Sequence, residues 1–164
     1  MEIYLRLLEQ AYFEIGEAFK DLNDANVWKR PAEGVLSIGE IAGHMTYWES
    51  IRLAGEGEDV TKCKVTSPLI DARFRYLSDT LKSSPSEQHL AMTAAQVHDE
   101  MQRVHKEVLV HFQALNPNLD GPVPGLAAFW TYRSSLEYLI FHVAYHTGQI
   151  YLTRHLLGET TPDN

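Results

Sequence analysis

The chain has 164 residues, a formal net charge of −8 at pH 7 and a composition that is 45% hydrophobic. This length suits a single domain over residues 1–164 with a substantial core, and the apolar fraction excludes a disordered chain. The acidic balance argues against nucleic acid as a partner, because binding phosphates requires a basic face. A small neutral or electrophilic molecule is a more suitable substrate.

The sequence predicts a cytoplasmic protein with no membrane partner. No apolar run approaches the roughly 20 residues that a membrane-spanning helix needs. The first ten residues, MEIYLRLLEQ, resemble the start of an amphipathic helix and lack the apolar block of a signal peptide. The single cysteine, Cys63, excludes an internal disulfide framework, and its polar surroundings favour an incidental thiol.

Helical periodicity predicts two long helices, A and B, in the first third of the chain. Helix A covers roughly residues 2–22. Helix B begins at Ser37, because Glu40 three residues later completes a capping box, and it ends near Gly55.

Two further long helices, C and D, follow a long connection over residues 56–92, within which residues 71–82 could form a short helix. Helix C spans about 93–115 and helix D spans 134–158, and each opens with a capping box, at Thr93 and at Ser134. No segment alternates with the period of a strand. The expected fold is all-α, a four-helix bundle with a long connection between helices B and C.

Three histidines fall on the core-facing stripes of two of these helices. His142 and His146 are four residues apart on helix D, so they share one face. His44 lies on helix B four residues before Trp48 and also points inward. Three neutral imidazoles are the ligand set of a catalytic zinc-type site with an open fourth position, but buried histidines that hydrogen-bond to their neighbours give the same pattern.

The other histidines fall in loops or beside charged residues, and we expect ordinary surface roles for them. These are His89, His98, His105, His111 and His155. Glu49 follows Trp48 and is expected to face away from the His44 stripe.

Two segments together resemble the DinB/YfiT-like superfamily of metalloenzymes, the helical damage-inducible family. One is the SIGEIAGH segment that ends at His44, and the other is the HxxxHxGQI element that begins at His142, with Arg154 and Gly158 downstream. The resemblance covers the whole chain, including the order of the helices and the long connection.

This resemblance implies a four-helix bundle that binds a divalent metal through His44, His142 and His146. Imidazole ligands accept several metals, and we expect zinc or nickel first, with iron or manganese as alternatives. Homodimers are common in the family, so the resemblance also implies that this protein forms a homodimer. Its characterised members include transferases that use low-molecular-weight thiols and a mycothiol-dependent maleylpyruvate isomerase.

Three functions follow as hypotheses. The first is a transferase in which the metal activates a soluble thiol, the second is a hydrolase that uses a metal-bound hydroxide, and the third is a non-catalytic bundle with a structural metal. Gln149, one turn beyond His146, is a candidate to hydrogen-bond a ligand. Arg154 is a candidate anchor for an anionic group, although surface salt bridges are commoner for helix arginines. The aromatic residues Trp48, Trp130 and Tyr132 are candidates to line the pocket, although aromatic residues at such positions more often belong to the core.

Overall fold

The computed structural model describes residues 1–162, which form seven α-helices and no strand. Two short 3₁₀ helices, Val60–Lys62 and Ala72–Phe74, lie in the long connection in the middle of the chain. The α-helices are α1 (Glu2–Phe19), α2 (Asp24–Val27), α3 (Ile38–Ala54), α4 (Leu77–Lys82), α5 (Glu87–Leu90), α6 (Ala94–Leu115) and α7 (Tyr132–Leu156).

The four long helices pack into a bundle, which confirms the all-α prediction. Helix α3 packs against α6 and α7, and α1 packs against the same two helices. Helices α1 and α3 therefore lie across the bundle from each other, and their side chains meet at its centre. Within residues 1–162, no helix is both long and apolar enough to cross a membrane.

Helix α3 is the central element, because every one of its residues except His44 is buried. Ser37 and Glu40 form the expected capping box, which fixes where the helix begins and so which face each residue occupies. The helix ends at the expected place, before Gly55. His44 is half-buried and is the one residue of this helix that is not fully enclosed.

The N-terminus of α7 differs from the prediction by one turn. The sequence suggested that Ser134 caps the helix, but the helix begins at Tyr132 and the cap is Thr131. The hydroxyl of Thr131 accepts from the backbone N–H of Ser134, and the hydroxyl of Ser134 accepts from that of Thr131. Ser134 thus completes the capping box one turn earlier. Gly158 adopts a positive φ of 81° just beyond the helix, as a C-terminal cap requires.

Helix α1 ends at Phe19 and not near residue 22 as predicted. Asp21 takes a left-handed conformation with φ of 56°, which turns the chain. This turn returns Leu22 to the core and leads into α2, which Asn23 caps through its side chain. Local turn geometry, and not loss of the apolar pattern, stops the helix.

The connection over residues 55–93 covers one side of α3. The short helix expected near residues 71–82 is present as two pieces, and α5 was not anticipated. Glu40 is fully buried and joins α3 to this covering, because Arg30 and Arg73 both contact its carboxylate, at 2.6 and 3.3 Å. Burial opposes ionisation of Glu40, but the hydrogen bonds from Arg30 and Ser37 outweigh it and lower its pKa.

Candidate metal centre

The structure brings His44, His142 and His146 together between α3 and α7. One nitrogen of each ring lies within 4.8 Å of the corresponding nitrogens of the other two. The Nε2 atoms of His44 and His142 are 3.1 Å apart. Two tetrahedral ligands at about 2.0–2.1 Å from a zinc ion would be about 3.3 Å apart, so this pair needs little adjustment to share an ion.

Burial keeps the three imidazoles neutral. It lowers the pKa of His44, and it is the main cause that lowers the pKa of His146 to about 4. Burial, followed by electrostatic repulsion from His146, His44 and Arg52, lowers the pKa of His142 to about 2. Neutral imidazole is the form that binds metals, so the donor set is ready at physiological pH.

A backbone carbonyl fixes the tautomer of His44. Its Nδ1 lies 2.7 Å from the carbonyl oxygen of Phe74. Because a carbonyl only accepts, Nδ1 carries the proton, and the lone pair of Nε2 points towards the other two histidines. Hydrogen bonding of the distal ring nitrogen to a carbonyl is the usual support of a metal-binding histidine.

Gln149 does the same for His146. Its side-chain oxygen accepts from Nδ1 of His146 at 2.6 Å, while its amide nitrogen donates to the hydroxyl of Tyr145 at 3.1 Å. The structure therefore connects Gln149 with the cluster. The hydrogen bonds that link Tyr145, Gln149 and His146 hold the imidazole in one orientation and leave its Nε2 available to a metal ion.

His142 is held by packing. It is 4% exposed, and the ring of Tyr138 stacks on it with the ring centroids 5.4 Å apart. Its Nδ1 is buried and has no hydrogen-bond partner among residues 1–162. The cluster contains no carboxylate or thiolate within those residues. These residues fit a divalent ion with three imidazole ligands and an open coordination position.

A close contact next to His44 positions the carbonyl that supports it. The ring of Phe74 packs directly on Gly43, where a Cβ would lie 2.6 Å from the ring. Only glycine permits this approach. The segment Ala72–Phe74 therefore comes close enough to α3 for its last carbonyl to reach His44.

Arg154 is not part of this cluster. It is 1% exposed, and its guanidinium donates to the carbonyls of Ala18 and Lys20 at the end of α1 and to that of Thr160. It also contacts the carboxylate of Glu159 at 3.1 Å. These contacts bind the C-terminal segment to α1, and the expected surface location is wrong because the side chain satisfies carbonyls beyond a helix end.

His105 is buried, and the surface role expected for it is wrong. Its Nδ1 is 2.7 Å from the carboxylate of Glu49, and its ring stacks on Tyr12. The hydroxyl of Tyr12 donates to the same carboxylate, and burial is the main cause of a strongly raised pKa of Tyr12. The carboxylate of Glu49 thus contacts both α1 and α6 at the centre of the bundle. Nothing in the sequence indicated that Tyr12 and His105 are its partners.

His89 is also buried, contrary to the expectation. Its Nδ1 accepts from the backbone N–H of Ser86, and its Nε2 lies 2.7 Å from the carbonyl of Pro68. Both ring nitrogens are satisfied by backbone groups of the connection. Cys63 is buried as well, and burial raises the pKa of its thiol.

Two contributors to the site were missed. The Phe74 carbonyl carries no side-chain signal, so sequence patterns do not reveal it. Arg52 is two turns beyond His44, and its charge acts on His142. The four-residue spacing of His44, Trp48 and Arg52 places an arginine on the same face of the helix as the histidine, and this signal was available in the sequence.

The fold and the cluster define a helical bundle with a three-histidine centre formed by its second and last long helices. The chain belongs to the DinB superfamily, whose sequence pattern it matches over residues 7–150. That range includes all three histidines and Gln149. No curated protein and no solved structure shows significant similarity to the chain.

Proposed function

We propose that this protein is a divalent-metal enzyme that transfers a group between an electrophilic small molecule and a low-molecular-weight thiol. The observation that carries the proposal is the convergence of three neutral imidazoles whose nitrogens lie within 4.8 Å of one another. His44 and His146 would hold the ion through Nε2, with Phe74 and Gln149 as their supports.

The number of protein ligands supports a catalytic role. Structural zinc sites are usually closed by four protein ligands, whereas catalytic sites have three and leave a position for substrate. A bound divalent ion would lower the pKa of a thiol that binds it and so provide a thiolate at neutral pH. The aromatic ring of Tyr138 on His142 restricts access of water to that side.

The absence of acids from the cluster favours a thiol over water as the nucleophile. Metallohydrolases of the HExxH type use a glutamate as general base, but His142-Val-Ala-Tyr-His146 has none. No aspartate or glutamate within residues 1–162 belongs to the cluster. A coordinated thiol needs no such base, because binding to a metal deprotonates it directly.

The sulfur must come from a soluble molecule. Cys63 is buried, and its Sγ lies 3.7 Å from the carbonyl of Ser50, outside the histidine cluster. In the reaction, a bond forms between the thiol sulfur and the acceptor carbon. The leaving group departs with the bonding electron pair, and the thiol proton passes to solvent.

Metal content is the first test. The protein is purified without a metal-binding tag, and its metals are measured by elemental analysis beside His44→Ala and His146→Ala. We expect one equivalent of zinc or nickel in the parent protein and a loss of at least about tenfold in affinity in each folded variant. Protein that takes up no metal when zinc or nickel is added would contradict the proposal.

A thiol panel tests the reaction. Glutathione, cysteine and coenzyme A are each incubated with a chromogenic aryl halide and the metal-loaded protein. We expect turnover that requires a thiol and disappears in His44→Ala. Thiol-independent release of the leaving group would indicate the hydrolase instead, and folded, metal-loaded protein with no turnover in either assay would favour a structural metal.

A further inference from the structure

Arg52 is a buried cation for which the described part of the chain supplies no hydrogen-bond acceptor at two of its nitrogens. It is 5% exposed, and its Nε and Nη1 are buried with no hydrogen-bond acceptor among residues 1–162. The nearby acid Glu58 is already ion-paired with Arg75 at 2.6 Å. Leaving a guanidinium unpaired in the interior is unfavourable, so a buried arginine normally has a carboxylate or carbonyls.

Three aromatic rings enclose the guanidinium. Its Cζ lies 3.7 Å from the ring centroid of Trp130, 4.8 Å from that of Tyr138 and 5.2 Å from that of Trp48. Cation–π contacts offset part of the cost of burial, but they leave the N–H groups unsatisfied. Burial accordingly lowers the pKa of Arg52 from its ordinary high value, and the group remains charged.

The guanidinium is directed towards the histidine cluster. His44, Trp48 and Arg52 follow one another at four-residue intervals, so they share a face of α3, and helical side chains lean towards the N-terminus. The ring of Tyr138 contacts the guanidinium of Arg52 and also stacks on His142. One aromatic ring therefore separates the cation from the candidate metal centre.

Space for a small molecule adjoins Arg52. A cavity of about 350 Å³ lies where the end of α3 meets α6 and the connection to α7, and Arg52, Gly55, His111 and Tyr132 are among its walls. The ring that covers the guanidinium most closely, that of Trp130, belongs to this connection. That ring is itself partly exposed to solvent.

We propose that Arg52 binds the carboxylate of the small molecule that reaches the three histidines. A planar guanidinium donates to both oxygens of a carboxylate, and the aromatic enclosure excludes the water that would weaken the pair. The identity of that molecule rests on the proposed function, since the carboxylate belongs to either the thiol or its acceptor. The binding of the anion itself does not require a metal.

Small probes test the site without any assay of activity. The metal-free protein is titrated with butyrate, with butyramide as the uncharged isostere and with inorganic phosphate, while the indole N–H resonances of Trp130 and Trp28 are recorded. We expect a saturable shift at Trp130 with butyrate and a weaker or absent response to butyramide. Trp28 donates to the carbonyl of Met92, away from Arg52, and serves as the internal control.

Variants assign the effect to Arg52. Arg52→Met retains the bulk of the side chain under the rings and should weaken butyrate binding by about tenfold or more, as expected for loss of a charged hydrogen bond. The affinity of Arg52→Lys for butyrate should lie between those of the parent and Arg52→Met, because lysine keeps the charge but loses the pair of donors that a guanidinium offers. Arg6→Met removes an exposed arginine from α1 and should leave the dissociation constant unchanged.

The stability of the same variants separates binding from a purely structural role. An unpaired buried cation predicts that Arg52→Met keeps or raises the Tm, whereas a structural cation–π contact predicts a lower Tm and no response to butyrate. No saturable binding by the parent protein, or equal binding by Arg52→Met, would overturn the proposal. Phosphate binding in place of butyrate would assign the anion to a different class and also overturn it.

Zinc-loaded protein identifies which partner carries the carboxylate. Propionate and 3-mercaptopropionate are compared with and without zinc. If the carboxylate belongs to the thiol, zinc strengthens the binding of 3-mercaptopropionate but not of propionate, and Arg52→Met weakens the binding of 3-mercaptopropionate to the zinc-loaded protein. If the carboxylate belongs to the acceptor, 3-mercaptopropionate binds zinc-loaded Arg52→Met as tightly as it binds the zinc-loaded parent. Failure of zinc to bind would refute the metal proposal, while the metal-free titration would still test Arg52.

Discussion

The ring of Phe74 lies against the backbone of Gly43, so close that a methyl group there would be 2.6 Å from its Cδ2 atom. The next residue, His44, donates from Nδ1 to the carbonyl of the same Phe74. One glycine thus sets the distance between α3 and the segment that supports a candidate ligand. The orientation of His44 therefore depends on Gly43, a residue that has no functional group of its own.

Gly43→Ala should damage both stability and metal affinity. The added methyl group overpacks the contact, which costs about 1–3 kcal/mol, and it displaces the carbonyl that orients His44. We expect metal affinity to fall by about 10–100-fold, as for other losses of support to a ligand. Thermal unfolding and a competitive chelator titration measure the two effects.

Gly148→Ala is the matched control. Gly148 is also helical, but a Cβ there meets no atom within 4 Å. Alanine favours a helix over glycine by about 1 kcal/mol, so this variant should be as stable as the parent or more so. Equal behaviour of the two variants would contradict the role assigned to Gly43.

Gln149→Leu should weaken metal binding without unfolding the protein. It removes the acceptor that holds Nδ1 of His146. The ring then loses its fixed tautomer, and we expect about 10–100-fold lower affinity for zinc. Gln149→Glu keeps an acceptor oxygen and should retain most of the affinity. Isothermal titration of both variants decides, and identical losses would show that the hydrogen bond has no such role.

The metal-free protein should lose stability in mild acid because of its buried histidines. Their pKa values are below the unfolded value of about 6.5, at about 4 for His146 and about 2 for His142. Between pH 6.5 and 4 the unfolded chain takes up protons that the folded chain does not, so the free energy of unfolding decreases as pH falls. Each such group contributes a slope of up to about 1.4 kcal/mol per pH unit.

Urea unfolding of the metal-free protein at several pH values measures this slope. His146→Gln removes one titrating group and should give a shallower dependence over the same interval. Stability that is constant from pH 7 to pH 5 would contradict the burial of neutral imidazoles.

Glu49→Ala should destabilise the bundle and leave the metal centre intact. It removes the carboxylate shared by Tyr12 and His105 and leaves two buried polar groups without a partner. We expect a loss of at least about 2 kcal/mol in the free energy of unfolding, since each unsatisfied group costs about 1–3 kcal/mol. Glu14→Ala, at an exposed position of α1, should change stability by less than about 0.5 kcal/mol. A destabilisation no larger than that of Glu14→Ala would contradict the shared hydrogen bonds.

The expected homodimer can be tested on the exposed face of α7. Large apolar residues lie on one side of this helix: Tyr138, Phe141, Tyr145, Leu152 and Leu156. The double variant Phe141→Glu, Leu152→Glu should halve the molar mass measured by light scattering if a second copy covers this face. Phe13→Glu, an exposed phenylalanine on α1, is the control and should leave the mass unchanged.

The sequence predicted those parts of the fold that depend on local signals. Capping boxes at Ser37 and Thr93 placed the starts of α3 and α6 correctly, because they are formed by residues three apart. The same logic failed by one turn at Ser134, since Thr131 offered an equivalent cap. Local hydrogen bonds alone do not choose between two overlapping caps.

The convergence of the histidines was also predictable, because helical phase placed His44, His142 and His146 on inward faces. The backbone group that orients His44 was not predictable. The carbonyl of Phe74 reaches the site through a connection whose path depends on tertiary packing. The burial of His105 likewise required Glu49 from another helix, and no spacing along the chain brings those two residues together.

Helix α3 is enclosed on all sides except at His44, so it has almost no freedom to accept new side chains. We therefore expect divergence of substrate preference on this scaffold at the exposed positions of α7 beside the histidines and in two connections, residues 55–93 and 116–131, which contribute Phe74 and Trp130. A library aimed at a new acceptor should vary Trp130 and its neighbours and leave the interior helix untouched. In this scaffold the interior helix α3 is fixed by its packing, whereas the segments around the histidines are free to vary.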